Sequence, residues 1–294
     1  MENDIATKTL KKTDNTKKEE EIGVHPFSNR SEALLRYEPI ELNGLVYYPI
    51  RVADYNKWQA VKPVLTLRQG TLPAVYACMT YLQCVWALQF DAMVQGDTPV
   101  KTWNLLACLM FMSLRLSGSD MIQPIGNTED PRTLTAIRIT KNGEVCEISA
   151  MEFAQVRRLI AEQNGAELPD EADNPDLVEA AEDISRSSNV RLKYDFADML
   201  TSVSSEMKLR RSDLMEWSIK EFDDVLRAIK RRYGYFMASI AESNGAKFKN
   251  GNPYPTWLFD KDKDEFAGLI SLSRFQNAHN ANITQQEAPI QPIL

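Results

Sequence analysis

Ser218 is followed three residues later by Glu221, a capping box that satisfies the first free amides of a helix. From Ile219 the apolar residues run Phe222, Val225, Leu226, Ile229, Tyr233, Phe236 and Ile240, one stripe at helical spacing. Asn244 and Gly245 then stop it, because glycine takes the left-handed backbone that a helix end needs. A stretch of turn formers and large apolar side chains follows, from Gly251 through Pro253, Tyr254, Pro255 and Trp257 to Leu258 and Phe259. A long striped helix and an extended aromatic segment must each bury a face. That arrangement points to docking more than to catalysis.

Shorter signals place the other elements. Ile40 to Tyr48, with Asn43-Gly44 at its centre, reads as a hairpin on a primed turn. Asp54 is placed to cap a helix through Trp58 and Val61, with Pro63 expected to end it. Leu72 to Met93 carries Val75, Met79, Leu82, Trp86 and Phe90 at three- and four-residue steps, and reads as one long helix. Thr98-Pro99 opens a second, with Trp103, Leu106, Leu109, Met110, Leu114 and Leu116. Both are apolar around most of their circumference, as in a bundle interior or a subunit interface, which leaves a homo-oligomer open. A second hairpin is expected over Leu134–Ile148 around Lys141-Asn142-Gly143. Ser149 and Glu152 then cap a helix ending at Asn164-Gly165.

Charge is uneven. The net charge is −7, and residues 161–185 hold nine acids with no Lys or Arg, leaving the rest near neutral. We read that block as an acidic linker, with a short helix expected over Asp176–Ile184. The expected fold is α+β and mostly α-helical. A disordered N-terminal tail (1–30) precedes an N-terminal domain of β-hairpins plus helices (31–165). The linker (166–189), a helical C-terminal module (190–250) and an extended aromatic tail (251–294) complete the chain. Helices from Tyr194 to Met207 and from Ser212 to Trp217 belong to the module. No stretch is long and apolar enough to span a bilayer, since Leu105–Leu116 is short and broken by Ser113 and Arg115. No membrane role is expected.

Chemistry finds little support. The two histidines, His25 and His279, sit beside no evident nucleophile, and no phosphate-binding glycine loop occurs. Asp260, Asp262 and Asp264 imitate a calcium loop, but Glu265 and Ser271 stand where it needs Gly and Glu. The four cysteines, Cys78, Cys84, Cys108 and Cys146, lack metal-type spacing and read as buried free thiols, in keeping with a reducing cytosol. We expect no catalytic residue, no metal and no cofactor. Residues 207–232 carry eight Lys or Arg against five acids, the basis of a helix-turn-helix alternative. Asp223 and Asp224 on the exposed face of the second helix weaken it. The aromatic tail is the stronger candidate. Tyr254, Trp257, Leu258 and Phe259 offer rigid apolar area, and Asp262–Phe275 reads as an amphipathic helix joining Phe266, Leu269 and Ile270. With Trp217 these are the candidate partner-binding residues, unless the tail folds back over the chain's own helices.

The run Leu65-Thr66-Leu67-Arg68-Gln69-Gly70-Thr71-Leu72-Pro73 and the run Ser212-Asp213-Leu214-Met215-Glu216-Trp217-Ser218-Ile219-Lys220-Glu221-Phe222 resemble tail assembly chaperones of long-tailed bacteriophages and prophages. Trp257-Leu258-Phe259-Asp260 and Leu269-Ile270-Ser271-Leu272 are similar to the C-terminal extensions of such proteins. The likeness is concentrated in residues 40–116 and 190–275. It implies a non-catalytic helper in the bacterial host cytoplasm that binds the tape measure protein and brings tail tube protein to it. The N-terminal tail and second hairpin depart from that pattern, so a structural virion tail or neck component stays open beside the DNA-binding regulator.

Overall fold

The computed structural model describes residues 30–95, 101–127, 130–169, 195–248 and 251–258. They are mostly α-helical with two small antiparallel sheets, an α+β fold. The chain divides into two compact units. The first takes in residues up to Thr66, Met79–Leu168 and Ser218–Lys220; the second takes in Leu67–Cys78, Pro169–Trp217 and Glu221 onward.

The first unit opens with α1 (Arg30–Leu35) and the expected hairpin, β1 (Ile40–Leu42) and β2 (Leu45–Tyr47), paired Ile40 to Tyr47. Asn43 and Gly44 both take positive φ, 53° and 72°, as a primed turn requires. Alternation puts Ile40, Leu42, Leu45 and Tyr47 on the buried face.

Helix α2 (Tyr55–Leu65) does not end at Pro63, which lies inside its last turn. The missing proline amide would have bonded the carbonyl of Gln59, an exposed residue that water can satisfy. The turn beyond is closed by Thr66, whose N–H and Oγ1 both donate to the Lys62 carbonyl, at 3.0 and 3.1 Å. Asp54 precedes the helix without capping it, and accepts from Lys57 Nζ at 2.7 Å instead.

The single helix expected over Leu72–Met93 is two. α3 (Ala74–Ala77) belongs to the second unit and α4 (Tyr81–Gln95) to the first. Thr80 and Gln83 cause the break. The Gln83 N–H donates to Thr80 Oγ1 at 3.3 Å and the Thr80 N–H to Gln83 Oε1 at 3.0 Å, a reciprocal cap that starts a helix anew. Apolar periodicity runs through this stretch unbroken, so it hid the cap.

α5 (Thr102–Leu114) is buried along most of its length, through Trp103, Leu106, Leu109, Met110 and Leu114. Its first amides are satisfied from α4, where Gln89 Oε1 accepts from Trp103 N (3.0 Å) and Asn104 N (3.3 Å). Thr98 and Pro99 lie outside the described residues. Trp86 meets the Trp103 ring edge-on at 4.9 Å.

The second expected hairpin is β4 (Ala136–Lys141) and β5 (Glu144–Ser149), turned by Asn142 and Gly143 at φ 52° and 85°. A third strand, β3 (Met121–Ile125), adds to β4. The sequence reading did not include it; Pro124 sits within it because β3 is an edge strand, where proline is tolerated. Ser149 and Glu152 cap α6 (Phe153–Gln163) as expected, with Glu152 N donating to Ser149 Oγ at 3.2 Å and Ser149 N to Glu152 Oε2 at 3.1 Å. Asn164 then closes the helix and reaches out, its Oδ1 accepting from Ile50 N at 2.8 Å.

Of the four free thiols only Cys84 is buried; Cys108 and Cys146 are half-buried and Cys78, in the break after α3, is exposed. The expectation of buried cysteines fails where the helix it assumed fails.

In the second unit, α7 (Phe196–Met207) begins at a capping box between Asp195 and Asp198 that sequence reading did not single out. α8 (Arg211–Leu214) follows one short turn later, and Arg211 donates to Thr201 Oγ1 at 2.6 Å. α9 (Ile219–Ser243) starts after Ser218 as expected. It ends at Gly245, φ 86°, where Ala246 N donates to the Ala241 carbonyl at 2.9 Å. The tail 1–29, most of the acidic linker with its expected helix, and residues 259–294 lie outside the described residues.

Candidate functional site

α9 changes character along its length. Phe222 is fully buried and meets Phe196 of α7 at 6.1 Å, while Val225, Leu226 and Ile229 are half-buried. One turn on, the same stripe comes out into solvent. Tyr233 is 52% exposed, Phe236 52%, Met237 67% and Ile240 56%. At 3.6 residues per turn these four share one face with Phe222 and Leu226. An apolar stripe built to be covered is covered over half its length.

The remaining exposed apolar side chains sort into two groups. Leu35, Val75, Met121, Val145 and Met151 are scattered singly along the chain, as is normal for a protein surface. Met207, Trp257 and Leu258 instead join α9. With Val225, Ala228 and Ile229 they line a cleft of about 360 Å3 in the second unit, and Glu206, Arg231 and Arg232 supply its polar lining. Contiguous exposed apolar surface with a polar rim marks an interaction site.

The charged rim is organised by Glu206. It forms an ion pair with Arg232 and accepts from Tyr233 Oη at 2.9 Å. α7 thereby fixes the tip of Tyr233 while the ring stays exposed. Glu206 is thus engaged on both sides, and nothing in the cleft holds a second carboxylate against it.

The aromatic segment folds back on α9, in part. Asn252 Oδ1 accepts from Tyr254 N at 2.8 Å, an Asx turn that aims Tyr254 at the helix. Its ring lies over Gly234, where an added Cβ would meet ring carbons at 2.7 Å. Three residues further, the Trp257 carbonyl accepts from Arg231 Nε at 3.0 Å. The segment therefore runs antiparallel to α9 beside the exposed stripe, leaving Trp257 and Leu258 at 52% and 51% exposure.

Of the candidate partner-binding residues, the structure brings Tyr254, Trp257 and Leu258 together on α9. Trp217 is half-buried in the turn before the helix, its N–H donating to the Leu214 carbonyl at 3.2 Å. Phe259, Phe266, Leu269 and Ile270 lie outside the described residues. Sequence reading missed Gly234, Glu206, Met207 and Met237. Gly234 had a signal, since glycine inside a helix costs about 1 kcal/mol against alanine and wants a packing reason. Of the methionines within 72–116, Met110 is fully buried and Met79 and Met112 are half-buried.

The helix-turn-helix alternative maps onto α8 and α9. There Arg227 faces Asp224 at 4.0 Å, and Arg231 and Arg232 take the contacts already given. Among the described residues no group of His, Cys, Asp or Glu is placed to hold a metal, and no helix is long and apolar enough to cross a membrane. Comparison with models of known families, with curated proteins and with solved structures gives no match.

Proposed function

We propose that the chain is a non-catalytic assembly chaperone whose docking surface is the exposed half of α9, and whose client is an apolar helix of a phage tape measure protein. The observation that carries this reading is the emergence of one stripe, Tyr233, Phe236, Met237 and Ile240, from a helix whose first half is packed. A groove or stripe of this kind takes an amphipathic helix through anchors at i, i+3, i+4 and i+7. Phe236 and Met237 supply aromatic and adaptable area, and Met tolerates more than one client sequence. The resemblance of residues 212–222 and 257–260 to tail assembly chaperones supplies the identity of the client, and recruitment of tail tube protein by residues beyond the aromatic segment.

Co-expression with the tape measure protein tests it. The client should stay soluble and co-purify with this chain. A client that shows no association at micromolar concentration removes the chaperone reading. A DNA-binding regulator has less support, because Arg227, Arg231 and Arg232 of the basic stretch each contact groups within the unit. A salt-dependent gel shift would favour it, and presence in purified particles would favour a structural virion component.

A further inference from the structure

We propose that the exposed half of α9 pairs antiparallel with the same half of a second copy of the chain, across a two-fold axis between Phe236 and Met237, until a client helix displaces that copy. This rests on reading the face as a docking surface, and it names the occupant that precedes the client.

The pattern of the stripe carries the argument. At about 100° per residue, Tyr233 and Ile240 fall within about 20° of one line along the helix, and Phe236 and Met237 stand about 50° to either side of it. All four are more than half exposed. Tyr233 and Ile240 also lie equally far along the axis from the midpoint of Phe236 and Met237. A two-fold axis through that midpoint therefore sets Tyr233 on the partner's Ile240, twice, while Phe236 and Met237 each meet their own copies. Self-matching of this kind is what an interface between identical copies requires, and a stripe aimed only at a foreign helix has no need of it.

Charge agrees with a second copy. Residues 233–241 hold no Lys, Arg, Asp or Glu, so no like charges meet at the centre. Lys230 is exposed and stands about 70° from the central line. Two-fold pairing brings it opposite the last turn of the partner's helix, where the final carbonyls carry the negative end of the dipole. The axis repeats that contact at the other end. Glu242 lies on the far side of α9, and Arg232 keeps its pair with Glu206 at the margin.

Area sets the strength. Four half-exposed side chains of this size supply roughly 400 Å2 per copy and about 800 Å2 for the pair, below the ~1,200 Å2 of a stable complex. The pair is accordingly transient, with a dissociation constant on the order of 10–100 μM, and yields to a client that reaches further along the helix. The free chain thus holds its client surface against itself and opens it on capture.

Sedimentation equilibrium of the full chain without client, at concentrations on the order of 1–300 μM, should show monomer and dimer in exchange. Tyr233→Lys and Ile240→Glu should each weaken the dimer at least about tenfold. Mixed in equal amounts, the two variants should associate again to within about threefold of the parent. A mixed pair holds one native contact of Tyr233 with Ile240 and, across the axis, one lysine–glutamate contact. Recovery on mixing also shows that neither variant fails by misfolding. A parent that stays monomeric overturns the pair, as do variants that dimerise like the parent or a mixture that does not recover. Client capture is scored separately, by co-purification. A monomer that captures tape measure protein loses the pair and keeps the function, while a dimer that captures none keeps the pair and loses the client.

Discussion

The ring of Tyr254 occupies the space that any side chain at Gly234 would need, its carbons 2.7 and 2.8 Å from where a Cβ would stand. Helix and aromatic segment therefore meet without a side chain between them. Gly234→Ala separates two effects that usually coincide. Alanine should favour α9 itself by up to about 1 kcal/mol, while displacing Tyr254 and loosening residues 251–258. We expect an unfolding temperature equal to or above that of the parent, with faster exchange and proteolysis over 251–258. A parent-like pattern in that segment would mean that Tyr254 does not depend on the close approach.

Phe236 and Ile240 are each more than half exposed and touch little of the fold, so their cost to stability should be small. Phe236→Asp with Ile240→Asp should leave unfolding free energy within about 0.5 kcal/mol per site. The same pair should abolish co-purification of the tape measure protein. Glu206→Gln is the contrasting variant. It weakens an ion pair whose Arg232 end is about half exposed, worth roughly 0.2–1 kcal/mol, and should leave client capture near the parent level. Equal losses from both would place the binding energy in the rim charges.

How far this was legible in the sequence follows from what each signal physically encodes. Asn43-Gly44 and Asn142-Gly143 fix a backbone conformation locally, so both hairpins could be read directly. The Ser149–Glu152 box and the Ser218–Glu221 spacing mark where helices begin, because the donors such boxes satisfy lie within three residues. Periodicity speaks only of which side is apolar. It could not show that the stripe over Leu72–Met93 is cut at Thr80, nor that the stripe of α9 is packed at Phe222 and open at Phe236. That difference depends on where α7 packs against α9, as Phe196 does on Phe222, and residues far apart in sequence decide it. Glu206 illustrates the limit, since nothing near it in sequence names Arg232 or Tyr233.

Tyr81 ties three elements of the first unit together. Its hydroxyl donates to the Val64 carbonyl at the end of α2, its ring stacks on Phe153 of α6 at 6.0 Å, and Arg157 lies over it at 4.0 Å. Burial pushes the hydroxyl well above the ordinary tyrosine range, so it stays a donor at any ordinary pH. Tyr81→Phe keeps the stack and removes one of the donors to the Val64 carbonyl, which the Thr66 N–H also approaches, for an expected loss of about 0.5–1.5 kcal/mol. Phe153→Ala removes a fully buried ring and should cost about 3–5 kcal/mol. Chemical denaturation of the two variants checks the order; a larger loss for Tyr81→Phe would mean that the hydrogen bond outweighs the packing.

Asp120 makes the first unit sensitive to acid. Its Oδ2 accepts from Ser117 N at 2.6 Å and Ser117 Oγ at 2.9 Å, and its Oδ1 accepts from Asn142 N at 2.9 Å. One carboxylate thus joins the turn before β3 to the turn between β4 and β5. These backbone donors, Ser117 first and Asn142 second, hold its pKa below the ordinary 3.8. Because the folded value lies below the unfolded one, the stabilisation is complete above the ordinary carboxylate value and is lost as pH falls through the folded one. Glu152 behaves the same way at the start of α6, its carboxylate held low by the Ser149 hydroxyl and amide. Asp120→Asn should therefore flatten the loss of stability below about pH 4, where the parent loses its carboxylate contacts. At neutral pH the variant should be the less stable of the two, since the amide accepts more weakly and brings donors toward Ser117 and Asn142. Parallel acid titrations that coincide below pH 4 would show that this carboxylate does not govern the acid limb.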